Sequence, residues 1–430
     1  MERRTFVKNA AGLAAAATVL APASAIGANE TIRVAVLGVN GRGRSHINGL
    51  QPLENVEITT LVDPDLEVGR KRAAEFEQKY GKKVKVVQDM RTVFDDKDID
   101  AVTIATPNHW HTLAAIWACQ AGKDVYVEKP STHCYNEGHS LIAAAKKYNR
   151  IVQHGVQLRS SEAIQEAVQQ MNDGIIGDVY MARATIFKWR PPLEKYPDEE
   201  PPATLDYGMW VGPGKWRAYS KRHVHYNWHW TWDFGNGEIG NQGIHETDML
   251  QWGLGVKQPT RLTSMGGRYL WNDHRETPEL LTTLMEFDEG GRKKFGEVAV
   301  RFWCSNRETE QPNGNLFYGS EGHLVISNYT KYQFFFGQKG EPGPSGEAPT
   351  RHFENFIKAV RSRKTSDQNG PVEQAHHAAG MAHLGNITYQ RNKVLEFDPK
   401  AERFTNDDMA NEMLGQKYRK GFEVPAPDKV

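Results

Sequence analysis

The chain has 430 residues, 39% of them hydrophobic, which is enough for two domains with cores of their own. Lys plus Arg and Asp plus Glu are equal at 53 each, so no charge excess marks nucleic acid or an anionic membrane as the main partner. The 11 Trp and 15 Tyr are many, and their apolar faces with one polar handle suit sugar rings as well as ordinary cores.

At the N-terminus, Arg3-Arg4-Thr5-Phe6-Val7-Lys8 precedes an uncharged, Ala-rich segment from Asn9 to Ala28. This stretch resembles a twin-arginine export signal, with cleavage sites after Ala23-Ser24-Ala25 or after Ala28. Residues 1–28 are therefore read as a signal peptide and the mature protein as periplasmic or otherwise exported. The segment is too rich in Ala and too poor in Leu and Ile to span a bilayer well, so no stable membrane insertion is expected once it is removed. Such a route carries folded proteins, often with a cofactor inside. Cys119, Cys134 and Cys304 are an odd number with no metal-ligand spacing, which leaves stability to the core alone.

Residues 29–150 read as a dinucleotide-binding domain. The β-branched run Thr31–Leu37 leads directly into Gly38-Val39-Asn40-Gly41-Arg42-Gly43, and a helical pattern through His46 and Leu50 follows. Glycines there let the backbone approach a pyrophosphate at the positive end of a helix, although Asn40 stands where a second glycine is usual. A second strand, Val56–Val62, ends at Asp63, whose carboxylate suits ribose hydroxyls and repels a 2′-phosphate; NAD is favoured over NADP. Strands at Val84–Val87, Ala101–Ala105 and Asp124–Val127 alternate with helical segments at Leu66–Tyr80 and Thr112–Ala121, the pattern of a doubly wound parallel sheet. Thr106-Pro107-Asn108 and Glu128-Lys129-Pro130 both fall at carboxyl ends of strands, where ligands bind in such sheets.

Further strands are expected at Ile151–Val156, Val179–Trp189, Arg261–Tyr269, Leu281–Phe287, Phe295–Cys304, Asn315–Gly319 and His323–Ser327. Gly340–Pro349 reads as a loop by composition, and His352–Arg361 and Val372–Tyr389 have helical spacing.

Taken together, "GVNGRG", "ATPNHWH", "AGKDVYVEKP", "GIIGDV", "GNQGIHETDML" and "FYGSEGHLVIS" resemble the Gfo/Idh/MocA oxidoreductases, from about Thr31 to Asn392. The resemblance implies an α/β protein: a Rossmann domain, then an α/β domain over residues 151–392 with an open, mostly antiparallel sheet. The family's last helices pack back on the first domain, and one sheet face often serves a homo-oligomer, here a dimer or tetramer. Residues 393–430 are left as an extension. The implied cofactor is tightly bound NAD, with Gly38, Asn40, Gly41, Arg42, Asp63, Thr106, Pro107, Asn108, His111, Glu128, Lys129 and Gln157 on its side.

Oxidising a sugar alcohol removes a hydride from carbon and a proton from oxygen. The Lys129 ammonium suits the reacting oxygen, as the family's matching Lys implies. His245 matches the His of the family's Asp-x-x-x-His pattern, while Asn241 replaces its Asp. An amide orients a hydroxyl but cannot hold a proton, so His245 is the expected base. Asn241, His245 and Asp248 share one face if a single helix covers them. Asp248, Arg159, His229 and Trp230 complete the expected substrate side. The run His223–Trp232 reads as a wall of Trp and His; zinc held by His223, His225 and His229 is its competing reading, but no Cys accompanies them and no metal is expected. The function expected is an exported NAD-dependent oxidoreductase acting on a ring hydroxyl of a sugar or glycoside. The alternatives are a glycosidase working by transient oxidation and elimination, and a non-catalytic sugar-binding protein.

Overall fold

The computed structural model describes residues 30–302 and 313–430; the export signal read at residues 1–28 and Cys304 lie outside the described residues. Strands β1 (Ile32–Leu37), β2 (Val56–Val62), β3 (Lys85–Val87), β4 (Ala101–Ile104), β5 (Asp124–Val127) and β6 (Val152–His154) pair in parallel in the order β3-β2-β1-β4-β5-β6. Strands β4 and β5 are buried throughout, and β1 everywhere but Arg33. Burial on both faces is why these strands read as unbroken β-branched runs. The order reverses between β1 and β4, which places the ligand crevice at their carboxyl ends. Helices α1 (Arg42–Leu50), α2 (Leu66–Tyr80), α3 (Asn108–Gln120) and α4 (Glu137–Lys147) cover the sheet. The Asp65 carboxylate caps α2 by accepting from Glu67 N, and Gly81, at φ +68°, ends it in the left-handed region that glycine adopts without strain.

Among the described residues the second sheet has ten strands, β7 (Val179–Lys188), β8 (Arg261–Gly267), β9 (Leu280–Glu289), β10 (Arg292–Phe302), β11 (Asn313–Gly319), β12 (Gly322–Ile326), β13 (Lys331–Phe336), β14 (Glu341–Glu347), β15 (Leu395–Asp398) and β16 (Arg403–Phe404). Every neighbouring pair is antiparallel except β7 and β10. The fold is thus the expected one: a Rossmann sheet followed by an α/β domain with a mostly antiparallel sheet. Alternate residues of β9, Leu281, Thr283, Met285 and Phe287, are buried on the inner face. That face packs on α5 (Glu162–Asn172), α6 (Gly243–Leu254) and, after α7 (His352–Ser362), α8 (Val372–Arg391). The outer face leaves Met265 83% and Tyr180 53% exposed.

Two features differ from the reading of the sequence. The loop expected at Gly340–Pro349 contains β14, whose two prolines are tolerated because it is the last strand of the sheet and needs a ladder on one side only. The Gln333 amide donates to Gly343 O at 2.8 Å and helps hold it. Residues 393–430 are integral: β15 pairs with β8, and Phe422, Val424 and Val430 pack on the first domain. Helix α7, although late in the chain, lays Phe353 and Phe356 against Tyr126 of β5.

Burial places several imidazoles where they must stay neutral. His109, His154 and His383 are pushed down to about 3, and His352 to about 4, each chiefly by desolvation. A group depressed in the fold contributes stability that is complete above its unfolded value, 6.5 for His, and is lost as pH falls toward its folded value. Each unit of depression is worth about 1.4 kcal/mol below both values. Through these imidazoles, the Tm in thermal melts should fall steeply below about pH 6.5. His383→Gln, which keeps a partner for the Thr132 hydroxyl and cannot titrate, should flatten that fall.

Candidate active site

The cofactor side begins at the end of β1. Gly38 has φ +79°, and a Cβ there would lie 2.7 Å from the Ala105 carbonyl oxygen, so only glycine lets the turn wedge between β1 and β4. Gly41 precedes α1 with no side-chain cap, nothing would crowd its Cβ, and the first turn holds no acid. Asn40, Gly41 and Arg42 are exposed. The helix thus presents free N–H groups and the positive end of its dipole to an anion, as a pyrophosphate requires. Asp63, at the end of β2, accepts from Val39 N and Asp65 N, both at 3.1 Å, and burial pushes its carboxyl up to about 6.

Arg72 also shapes this turn, and the sequence reading passed over it. Its Nε donates to Val39 O at 2.9 Å and its Nη2 to Asn40 O at 2.7 Å. The available signal was a cation on the buried stripe of α2, between Gly69 and Phe76.

At the ends of β4 and β5 the expected residues gather. The Thr106 hydroxyl is buried without a partner. Pro107 precedes α3, and Asn108 Nδ2 donates to Asn236 Oδ1 at 2.9 Å. The His111 ring sits between Thr106 O at 2.8 Å and Pro130 O at 2.5 Å, tying the two loops together. Gln157 Nε2 donates to the Tyr126 hydroxyl at 2.9 Å. Glu128 Oε1 accepts from Arg42 Nε at 2.7 Å and His46 Nε2 at 3.0 Å. Burial alone would raise the Glu128 carboxyl, yet Arg42 and His46 hold it well below the usual carboxylate range.

Lys129 turns the other way. Its Nζ donates to Asn241 O at 2.9 Å and to Asn241 Oδ1 at 3.0 Å, across the boundary between the two domains. Burial lowers the Lys129 ammonium from 10.5, against the opposing charges of Glu128 and Glu238. Asn241 is not on the helix with His245 and Asp248: α6 starts at Gly243, and Asn241 lies in the bend between the short helix Gly237–Gly240 and α6. Its φ of −93° and ψ of −96° take it out of helical geometry, so the shared face expected from the i, i+4, i+7 spacing covers only His245 and Asp248.

His245 is 4% exposed, with Nδ1 buried and unpartnered and its ring 4.9 Å from that of Tyr329. Burial, then the Lys129 charge, hold its imidazole well below 6.5. Arg159 and Asp248 satisfy each other: Arg159 Nε donates to both carboxylate oxygens at 2.9 and 2.7 Å, and the guanidinium lies over Trp252 at 4.8 Å. Breaking a buried pair of this kind costs about 3–5 kcal/mol. His229 stacks on Trp228, sits 2.6 Å from Tyr226 O, and is pushed down to about 3 by burial, with Lys129 contributing. Trp230 is 2% exposed, between Phe302 and the guanidinium of Arg190, and lines a cleft of about 520 Å³ whose walls include neither Lys129 nor His245. His223 faces the Tyr207 hydroxyl, His225 faces Asp65 and His229 faces Tyr226 O, so the three imidazoles have separate partners.

Glu246 is a second residue the sequence reading passed over. It follows His245 directly, accepts from Gln242 Nε2 at 3.0 Å and leaves Oε2 buried without a partner. Burial pushes its carboxyl up to about 8.

Residues 32–156 match the Gfo/Idh/MocA family model described as "Oxidoreductase family, NAD-binding Rossmann fold". Residues 160–264 and 342–424 match its companion, "Oxidoreductase family, C-terminal alpha/beta domain". The 2,7-anhydro-N-acetylneuraminate hydratase of Mediterraneibacter gnavus is 24% identical over 299 residues, 69% of this chain and 65% of that protein. The levoglucosan dehydrogenase of Pseudarthrobacter phenanthrenivorans is 34% identical over 119 residues, 28% of this chain and 30% of that protein. Each match spans less than two thirds of the relative's own length. The solved WlbA dehydrogenase of Chromobactrium violaceum, in complex with NADH and UDP-GlcNAcA, aligns with a TM-score of 0.68 over 89% of this chain and 99% of that one, at 17% identity, a likeness of fold. By both of its domains, which together take in more than half of its length, the chain belongs to the Gfo/Idh/MocA oxidoreductase family.

Proposed function

We propose that the chain oxidises a ring hydroxyl of a sugar or glycoside, reversibly, at the junction of its two domains. The observation that carries this reading is the half-buried Lys129 ammonium at the end of β5, held by Asn241 of the second domain beside a neutral His245. The residues of the first domain fit NAD: the Gly38 wedge, the uncapped start of α1 and Asp63 at the end of β2 would hold its pyrophosphate and ribose. Bound there, NAD supplies the hydride acceptor.

The protein's own groups do the rest. A substrate oxygen takes the place of one Asn241 contact on Lys129, whose charge stabilises the alkoxide character that develops as hydride leaves carbon. The imidazole of His245 accepts the hydroxyl proton. Burial and the Lys129 charge keep it neutral beforehand and disfavour retaining the proton afterwards, which suits a reversible reaction. The Arg159–Asp248 pair fixes α6, and so His245, against the first turn after β6. His229, close enough to Lys129 to feel its charge, offers an aromatic edge to the sugar. Residues 1–28 serve export by the twin-arginine route, and the apolar outer face around Met265 and Tyr180 joins copies into a homo-oligomer.

A second reading, glycoside cleavage through transient oxidation and elimination, draws support from the relative named as a hydratase and not a dehydrogenase. Supplying the purified protein with NAD and a panel of sugars and aryl glycosides separates the two. Nicotinamide absorbance should rise with an oxidisable sugar, whereas cleavage of an aryl glycoside with no net reduction favours the second reading.

Either reading requires the same site. Lys129→Ala should lower kcat by about 10²–10³-fold, and His245→Ala by about 10²–10⁴-fold, with NAD affinity measured by calorimetry changing far less for His245→Ala. The pH–rate profile of the parent should be level near neutrality. It should lose its acid limb only well below pH 6.5, where His245 protonates, and its alkaline limb below 10.5, where the depressed Lys129 loses its charge. Asn241→Asp places an anion on the ammonium, raises its pKa and should move the alkaline limb upward.

A further inference from the structure

Outside the active site, three side chains from separate parts of the chain meet at one point. His139 lies in the first turn of α4, His376 at the start of the second turn of α8, and Glu402 in the turn between β15 and β16. His139 Nε2 is 2.8 Å from Glu402 Oε2, and His376 Nε2 is 3.4 Å from both oxygens of the same carboxylate. The two imidazole centroids are 4.6 Å apart, and the three donor atoms all fall within 4.8 Å of one another. With zinc bonds of about 2.0–2.1 Å, neighbouring donors of a tetrahedral site stand roughly 3.3 Å apart. The equal spacing of His376 Nε2 from both carboxylate oxygens is long for a hydrogen bond and suits an ion held between the groups.

An independent observation points to the same place. Tyr135 is 1% exposed, and its buried hydroxyl faces Glu402 without reaching good hydrogen-bond geometry to any side chain. A buried phenol of this kind normally finds a partner, and a ligand of the cluster, such as a metal-bound water, would supply one. The side chain of His376 is nearly enclosed, whereas that of His139 is 37% exposed, so the cluster has both a sheltered donor and a path from solvent.

We propose that His139, His376 and Glu402 bind one zinc-class divalent ion, with water completing the coordination. Two imidazoles and one carboxylate match the preferences of zinc or nickel and disfavour magnesium and calcium, which take oxygen ligands. The ion fastens the nucleotide-binding domain, through α4, to α8 and to the β15–β16 hairpin of the second domain. The sequence offers no spacing signal for it, because the donors are at positions 139, 376 and 402.

The full chain, stripped with a chelator and titrated with zinc by calorimetry, tests this. One ion should bind per chain, Tm should rise with zinc concentration, and magnesium should have neither effect. His139→Ala alters a partly exposed position, and Glu402→Gly suits the φ of +49° at that residue, so both variants should fold. Each should weaken zinc binding by at least about 100-fold. The proposal is overturned if the parent binds no more zinc than the double variant, or if both single variants bind it as tightly as the parent.

Discussion

The site is organised by one half-buried cation. A Lys ammonium withdrawn from water must be compensated locally or lose its proton, and the neighbour next to Lys129 in sequence does not do this alone. Glu128 is engaged by Arg42 and His46; the direct contacts of Lys129 Nζ run to Asn241, across the domain boundary. These are neutral acceptors. The ammonium is therefore held in place by dipoles while its charge remains only partly balanced, a state that favours an oxygen on which negative charge can grow. The two charges of "EKP" divide the work: Glu128 fastens the start of α1, and Lys129 reaches for the second domain.

Asn241 has consequences for its neighbours. A carboxylate there would raise both Lys129 and His245. The amide leaves both depressed, so a neutral imidazole and a cation sit side by side. Glu246, pushed up to about 8 on the residue after His245, adds no second full anion near neutrality. Groups with environments that push their titrations apart are how one site holds an acid and a base together. Arg159 and Asp248 stand behind this arrangement as a closed pair, holding the helix that carries His245.

Much of the first domain was legible because its signals are local. β-branched runs buried on both faces, the turn at Gly38 and the polar residues at strand ends each declare themselves within a few positions. The second domain was less legible where tertiary context overrides local pattern. Spacing alone placed Asn241 on a helix with His245, but the glycines at 240 and 243 let the chain bend between two helices. Composition made a loop of a stretch that becomes an edge strand once β13 offers a ladder. Arg72 and Glu246 escaped notice because a charge inside an apolar pattern says that it must have a partner without saying which. Arg159 and Asp248 were read as singles reaching for a substrate; their distance in sequence hid that they bind each other.

The central claim is that Lys129 from one domain and His245 from the other address the same substrate oxygen. A crystal structure of the full chain with NAD and a sugar that it turns over tests this most directly. The account predicts one ring hydroxyl within hydrogen-bond distance of both Lys129 Nζ and the His245 imidazole, its carbon facing the nicotinamide. A bound sugar whose reacting hydroxyl touches neither side chain, with Lys129 still closed on Asn241, would contradict it.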